Sequence, residues 1–274
     1  MVAKGLSKQP LDAISQRIAS LGFNCVRLTW AVGMVVTDAG KVTVRQALQN
    51  LKLTDDIVGF GDKNPSLLDV PRVDAFVTWN MGKSKDNAYL GAEAVHEGNP
   101  NLLVILSGLN YDLDLSFIKD RPVSLSFSNK LVYGLHWSSW SGAIWDRGDP
   151  AVCDEVTGGR MNDGGCLMDK GFPLILSEFG MDQRNTNPRD NKYIGCTLRW
   201  LHDKDVDWAV WGLQGSYYFR EGVAGTDEVF GVLSYDWSDV RNNKFMDSVK
   251  SIMPPRTDNI TFLTSDLRLY VFCA

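Results

Sequence analysis

Hydrophobic positions along the chain follow two kinds of spacing. In the segment from Pro10 to Gly22, apolar residues recur three or four positions apart, which is the spacing of one helix face. These residues are Leu11, Ile14, Ile18 and Leu21. A proline at the start and a glycine at the end are typical helix boundaries, so this segment is predicted to be a helix. Other segments, such as 102–108, are continuous apolar runs with the length of a buried strand.

The two spacings alternate along the rest of the chain. The predicted strands are 24–30, 102–108, 131–137, 173–178 and 206–212. The other predicted helices are a short one around 43–51, 88–98, 189–204, and a last one marked by Phe245, Val249 and Ile252. Continuous apolar strands that alternate with helices indicate parallel strands covered on both sides. From 102 onward, successive strands start 29, 42 and 33 residues apart. A (β/α)8 barrel averages roughly 30 residues per unit, and this is the fold class we predict.

The number of strands falls short of eight. Apart from the five strands there is one weak candidate, 75–79, and residues 31–70 are otherwise predicted to be mostly loop. We therefore expect an incomplete barrel over residues 1–254. Residues 255–274 follow two prolines and are predicted to form a separate β-segment. An open doubly wound sheet is the alternative, but its ligand site would draw on fewer strand ends.

Polar and aromatic residues lie at the C-terminal ends of the predicted strands, where a (β/α)8 barrel keeps its active site. Glu178 ends an otherwise apolar strand, and it either pairs locally or takes part in chemistry. His136 and Trp137 end the neighbouring strand, and a histidine there can hold a carboxylate or a substrate by hydrogen bonds. Trp211 would stack on a sugar ring or fill the core. Arg27, inside a strand, needs a carboxylate partner, and Glu178 is a candidate.

The composition narrows the possible functions. The chain has 274 residues, 44% of them hydrophobic, and a net charge of −5, which argues against a nucleic-acid-binding surface. No apolar run approaches the ~18 residues of a membrane span, and the first ten residues contain no apolar signal-peptide core. No glycine-rich phosphate loop or C-x-x-C pair is present, so no cofactor or metal is expected. Cys153 and Cys166 flank a glycine-rich segment that we expect to be a loop, and either form a disulfide or remain two thiols.

Several motifs together resemble a known family. The segments "GFNCVRLTW", "LVYGLHW", "GFPLILSEFG" and "VDWAVWGLQGSYYFREG" occur in the order found in the plant cellulase-like proteins of glycoside hydrolase family 5. The resemblance runs from about residue 4 to residue 260. It implies a (β/α)8 barrel and retaining hydrolysis of β-glycosidic bonds in polysaccharides, usually by a secreted protein. It also implies that 255–274 begin a ricin-type lectin segment.

The resemblance assigns roles to individual residues. It implies that Glu178 is the nucleophile, that His136 is the sixth-strand histidine, and that Arg27 is the second-strand arginine. It also implies that Trp211 is the eighth-strand sugar platform. Trp137 departs from the family, which has His-x-Tyr where this chain has His136-Trp137-Ser138. Trp137 is a second candidate for stacking on the substrate.

The departure with the largest consequence concerns the acid/base glutamate, which the family carries in an Asn-Glu pair. The sequence contains six glutamates and no Asn-Glu pair. Residues 67–76 resemble the helix before the third strand, and residues 88–96 resemble the helix after the fourth. We therefore expect the segments for strands three and four to be missing, together with strand one. We therefore expect a cellulase- or mannanase-like hydrolase with impaired activity, or alternatively a non-catalytic carbohydrate-binding or structural protein.

Overall fold

The computed structural model of the chain describes residues 5–23, 41–72, 74–75, 100–101, 103–120, 123, 125–127, 129–139 and 151–253. The helices described are α1 (Leu11–Ser20), α2 (Val44–Asn50), α3 (Thr54–Lys63), α4 (Pro65–Leu68), α5 (Val152–Asp163), α6 (Pro188–Lys204) and α7 (Asn243–Lys250). The strands described are β1 (Val104–Ser107), β2 (Leu131–Ser138), β3 (Leu174–Gly180), β4 (Asp207–Val210), β5 (Phe219–Arg220) and β6 (Val223–Ala224). Short 3₁₀ turns cover Ser116–Lys119 and Gly165–Lys170.

The chain divides into two compact units. The first comprises Met1–Asn24, Leu28–Ala88 and Leu213–Arg241, and the second comprises Cys25–Arg27, Tyr89–Gly212 and Asn242–Ala274. In the first unit, α3 approaches the N-terminal segment closely. A Cβ at Gly59 of α3 would lie 2.4 Å from the backbone oxygen of Ser7, so only glycine fits there.

A parallel sheet forms the centre of the second unit. Its strands are ordered β1-β2-β3-β4, and each pair is parallel. The helices α5 and α6 supply the connections that parallel neighbours require. Both central strands are mostly buried, with Tyr133 and Leu135 in β2 and Leu176 and Phe179 in β3 inaccessible to solvent. The sheet is therefore covered on both faces, as the continuous apolar runs predicted.

The helix α6 illustrates how the sequence pattern becomes structure. Asn187 caps its N-terminus by accepting a hydrogen bond from the backbone N–H of Arg189, and Pro188 occupies the first helical position. Its buried residues recur at helical spacing and include Tyr193, Ile194, Trp200 and Leu201. The prediction of a helix over 189–204 is confirmed.

Four strand predictions are confirmed, namely 102–108, 131–137, 173–178 and 206–212, although β1 and β4 are shorter than predicted. Two loop predictions are wrong. Residues 54–68 form α3 and α4, and most of the glycine-rich segment from Cys153 to Cys166 forms α5. The predicted strand 24–30, residues 76–79, the helix 88–98 and the tail 255–274 lie outside the described residues. Where the chain is described, no helix is long and apolar enough to cross a membrane.

Candidate active site

Glu178 lies near the C-terminal end of β3, in register with His136 of β2. It is the only residue of the strand that is not buried, since its side chain keeps 22% exposure. The pairing of β3 with β2 shifts between Leu135 and His136, so that Ser177 has no residue opposite it. This bulge brings Glu178 directly beside His136, and bulges are frequent next to active sites because they re-aim a side chain.

His136 has a carboxylate beside each of its two ring nitrogens. Nδ1 lies 3.4 Å from Oε2 of Glu178, and Nε2 lies 3.2 Å from Oδ2 of Asp112. The side chains of His136 and Asp112 are 15% and 11% exposed, so the three groups are shielded from most of the solvent. Sequence reasoning missed Asp112. Its position shortly after the end of β1 was the available indication, because polar residues at that edge of a barrel are candidates for the site.

Asp112 is presented by an unusual turn over Leu109–Asp112. Asn110, Tyr111 and Asp112 have φ values of 54°, 59° and 63°, so three successive residues adopt the left-handed conformation. The backbone N–H of Leu109 donates to the carbonyl of Asp114 at 2.8 Å, and the reverse bond measures 3.2 Å. These two bonds close the turn and direct Asp112 back toward β2.

Trp211 follows β4 and lies against the end of β3. Its backbone N–H donates to the carbonyl of Phe179 at 2.7 Å. A Cβ at position 180 would lie 2.2 Å from the carbonyl oxygen of Trp211, which explains why a glycine follows Phe179. The indole is partly exposed. The backbone therefore places Trp211 just after the end of β4, beside β3, which carries Glu178.

Trp137 lies on the opposite face of β2 from His136, because successive residues of a strand point to opposite faces. Its side chain is 1% exposed and makes edge-to-face contacts with Tyr193 and Trp200 of α6. The hydroxyl of Tyr193 donates to the carbonyl of Trp137 and accepts from the N–H of Gly180. Trp137 is thus part of the core, and neither face of its indole is open to a sugar ring.

The chain is similar to known proteins in sequence and in fold. No family model matches the chain. A glycosyl hydrolase 5 family protein from the conifer Chamaecyparis obtusa is 32% identical over 338 residues, and the match includes 93% of this chain. The chain is a relative of the glycoside hydrolase family 5 proteins. It spans about three fifths (61%) of the length of that relative.

Solved structures show which fold this chain has. An endocellulase from Pyrococcus horikoshii superposes with a TM-score of 0.62 at 16% identity, over 92% of this chain and 89% of the other. The catalytic domain of the major endoglucanase from Xanthomonas campestris pv. campestris superposes with a TM-score of 0.61, also at 16% identity, over 92% and 90%. The predicted (β/α)8-barrel class is confirmed, and four parallel strands of it lie within the described residues.

Arg27, the remaining predicted site residue of this chain, lies outside the described residues. Among the described glutamates, Glu155 is exposed on α5 and Glu221 is exposed in the turn between β5 and β6. Glu228 is buried in the first unit. It accepts hydrogen bonds from the Tyr217 hydroxyl, the Arg220 guanidinium and the Phe230 N–H, which is the environment of a structural carboxylate.

The disulfide in this chain differs from the pairing that the sequence analysis considered. Cys153 of α5 is bonded to Cys196 of α6, and Cys166 is a free thiol. The possible Cys153–Cys166 disulfide is therefore wrong. Its physical reason is that α5 carries Cys153 to the buried face of α6, where Cys196 is 5.3 Å away between Cα atoms. In the described part of the chain, no cluster of three or more histidine, cysteine or acidic residues could hold a metal ion.

Proposed function

We propose that this chain is a member of glycoside hydrolase family 5 in which Glu178 is the nucleophile toward a β-linked polysaccharide or oligosaccharide. The observation that supports this most directly is the placement of Glu178. It is the one partly exposed residue of a buried strand, and a bulge sets it in register with His136. The family relationship and the cellulase folds provide the chemical context.

In a retaining mechanism the nucleophile must be ionised when it attacks. A carboxylate oxygen of Glu178 would form a bond to the anomeric carbon, and the bond from that carbon to the leaving oxygen would break. The leaving oxygen then needs a proton from a second carboxyl group, which lies about 5–5.5 Å from the nucleophile in such enzymes. His136 is placed to orient the carboxylate of Glu178, because its Nδ1 lies 3.4 Å from Oε2.

We further propose that hydrolysis by this chain is impaired because that second carboxyl group is missing. The sequence has no Asn-Glu pair. The match to the Chamaecyparis obtusa protein extends over 338 residues although this chain has only 274, so part of the matched segment has no counterpart here. Losing a general acid typically lowers the rate by a factor of ~10²–10⁴.

The test is covalent labelling with a 2-fluoroglycoside that carries a dinitrophenolate leaving group, in gluco and manno forms. Such a leaving group departs without protonation, so Glu178 alone suffices for the first step. We expect one label per chain, located on the peptide 171–180, and no label in the Glu178→Gln variant. The exposed Glu155→Gln variant is the matched control and should label like the unaltered chain. A label on another carboxylate would refute the assignment of Glu178.

The alternative is a carbohydrate-binding protein without catalysis, which the absent Asn-Glu pair favours. Its platform would be Trp211, since Trp137 is buried. This alternative predicts that neither the gluco nor the manno 2-fluoroglycoside labels the folded chain. It also predicts that cello- or manno-oligosaccharides change the tryptophan fluorescence of the unaltered chain but not that of Trp211→Ala.

A further inference from the structure

The turn after β1 places Asp112 on the far side of His136 from Glu178. The imidazole therefore lies between two carboxylates, with Oδ2 of Asp112 at 3.2 Å from Nε2 and Oε2 of Glu178 at 3.4 Å from Nδ1. Nε2 is fully buried, and its contact with Asp112 is not aligned as a hydrogen bond. Hydrogen bonds of catalytic groups are often poorly aligned in unliganded sites and tighten when substrate binds.

The two contacts of the His136 ring determine how many protons the three side chains must share. A neutral imidazole carries one N–H and one lone pair, and a lone pair that faces an ionised carboxylate is repelled. Each of the two nitrogen–oxygen contacts therefore needs a proton. If both protons are on the ring, His136 is an imidazolium; if one is on Asp112, that carboxyl donates to Nε2. A nucleophilic Glu178 must be ionised, and in both of these arrangements Nδ1–H points at it.

The backbone of the turn supports a functional role for Asp112. Left-handed backbone is unfavourable for residues other than glycine, although less so for Asn and Asp than for other side chains. Tyr111 is 90% exposed, so burial of its ring does not stabilise the conformation. Strained backbone of this kind is concentrated at functional sites. Here its result is that Asp112, which ends the turn, is buried beside His136.

We propose that Asp112 is a positioning residue that holds His136 through Nε2, so that Nδ1–H orients the carboxylate of Glu178. Asp112 does not replace the missing acid/base, because the imidazole occupies the space between the two carboxylates and leaves none for a glycosidic bond. The catalytic consequence rests on the proposed function of Glu178. The contact between Asp112 and His136 does not, and it has a readout of its own.

The experiment uses the full chain labelled with ¹⁵N in its three histidines, His96, His136 and His202. Imidazole ¹⁵N shifts distinguish protonated from unprotonated ring nitrogens, and His136→Gln assigns the signals of His136. Two variants keep the left-handed backbone at position 112, since Gly and Asn both tolerate positive φ. Asp112→Gly removes the partner of Nε2, whereas Asp112→Asn retains a polar partner. Asp154→Asn, on the exposed surface of α5, is the control.

At neutral pH we expect Asp112→Gly to change the ¹⁵N shifts of His136 and to leave those of His96 and His202 unchanged. The labelling rate of Glu178 should fall about 10- to 100-fold, by analogy with the loss seen when the carboxylate behind a metal-binding histidine is removed. Asp112→Asn should recover part of this rate, and Asp154→Asn should change neither readout. If Asp112→Gly does not fold, Asp112→Asn should still change the His136 shifts and slow labelling by a smaller factor.

Two results would overturn the inference. Unchanged His136 shifts in both Asp112 variants would show that Asp112 does not hold the ring. Changed shifts with an unchanged labelling rate would show that the contact does not orient Glu178. If the unaltered chain takes up no label, the proposed function fails separately, and the ¹⁵N shifts alone decide whether Asp112 positions His136.

Discussion

The disulfide between Cys153 and Cys196 connects α5 to α6 and closes a loop across 43 residues of sequence. Reducing this bond, without changing any side chain, should lower the free energy of unfolding. Cys196 is buried, so a substitution there would also leave a cavity. The unaltered chain compared with and without reductant therefore isolates the effect of the cross-link.

The magnitude follows from the length of the closed loop. In the chain-entropy model, closing 15 residues is worth about 3 kcal/mol and closing 100 residues about 4.7, so this loop should contribute about 4. Measured values are usually about 2–4 kcal/mol because native strain and residual unfolded structure reduce the effect. For a chain of this size each kcal/mol shifts the melting temperature by about 2–4 °C, so we expect a decrease of roughly 5–15 °C.

The assay is urea unfolding of chain produced under oxidising conditions, with and without reductant, together with peptide mapping by mass spectrometry. The double variant Cys153→Ala/Cys196→Ala should unfold identically in both conditions. Cys166→Ala should keep the full response to reductant, because Cys166 is the free thiol. A mapped peptide pair linking Cys153 to Cys166, or a loss of the response in Cys166→Ala, would refute the assignment of α5 and α6 as the linked elements.

Two further predictions concern the second unit. Trp137→Ala should lower the free energy of unfolding by about 3–5 kcal/mol, as expected for a large buried aromatic residue, and Trp211→Ala should lower it much less. Unchanged stability of Trp137→Ala in urea unfolding would contradict its place in the core. Burial raises the pKa of Asp190, so the native state binds its proton more tightly than the unfolded state. Stability should therefore fall as pH rises from about 4 toward 7, relative to Asp190→Asn, and parallel curves for the two proteins would contradict this.

The elements that were predictable are those in which one strong pattern was sufficient. The helix α6 has both a capping residue and helical spacing of apolar positions, and β3 is a continuous apolar run. Two of the missed helices, α3 and α5, contain two glycines each, and a glycine lowers helix propensity by roughly 1 kcal/mol. In α5, no atom lies within 4 Å of a Cβ placed at Gly158 or Gly159, whereas Val152 and Val156 are buried. Tertiary contacts and the disulfide thus stabilise a helix that its local sequence disfavours.

The sequence predicted only those residues of the candidate site that lie within a strand. The position of Glu178 at the end of an apolar run identified it, and the parallel neighbour supplied His136. His136 and Trp137 were both candidates for the site, but alternation along a strand sends the two side chains to opposite faces. Asp112 could not be assigned, because its contact with His136 depends on three successive left-handed residues. No local pattern in the sequence predicts that backbone.

If the acid/base carboxyl group is missing, as we propose, both steps of a retaining reaction are affected, because that one group serves first as acid and then as base. An activated leaving group makes the acid unnecessary in the first step, yet the second step still needs a base to activate water. Asp112 cannot supply it, since the imidazole of His136 separates it from Glu178. If Glu178 is the nucleophile, the glycosyl-enzyme should therefore accumulate even with an activated substrate that lacks the 2-fluoro group. The placement of Glu178 and the loss of turnover are thus compatible: the site would capture a sugar covalently and release it slowly.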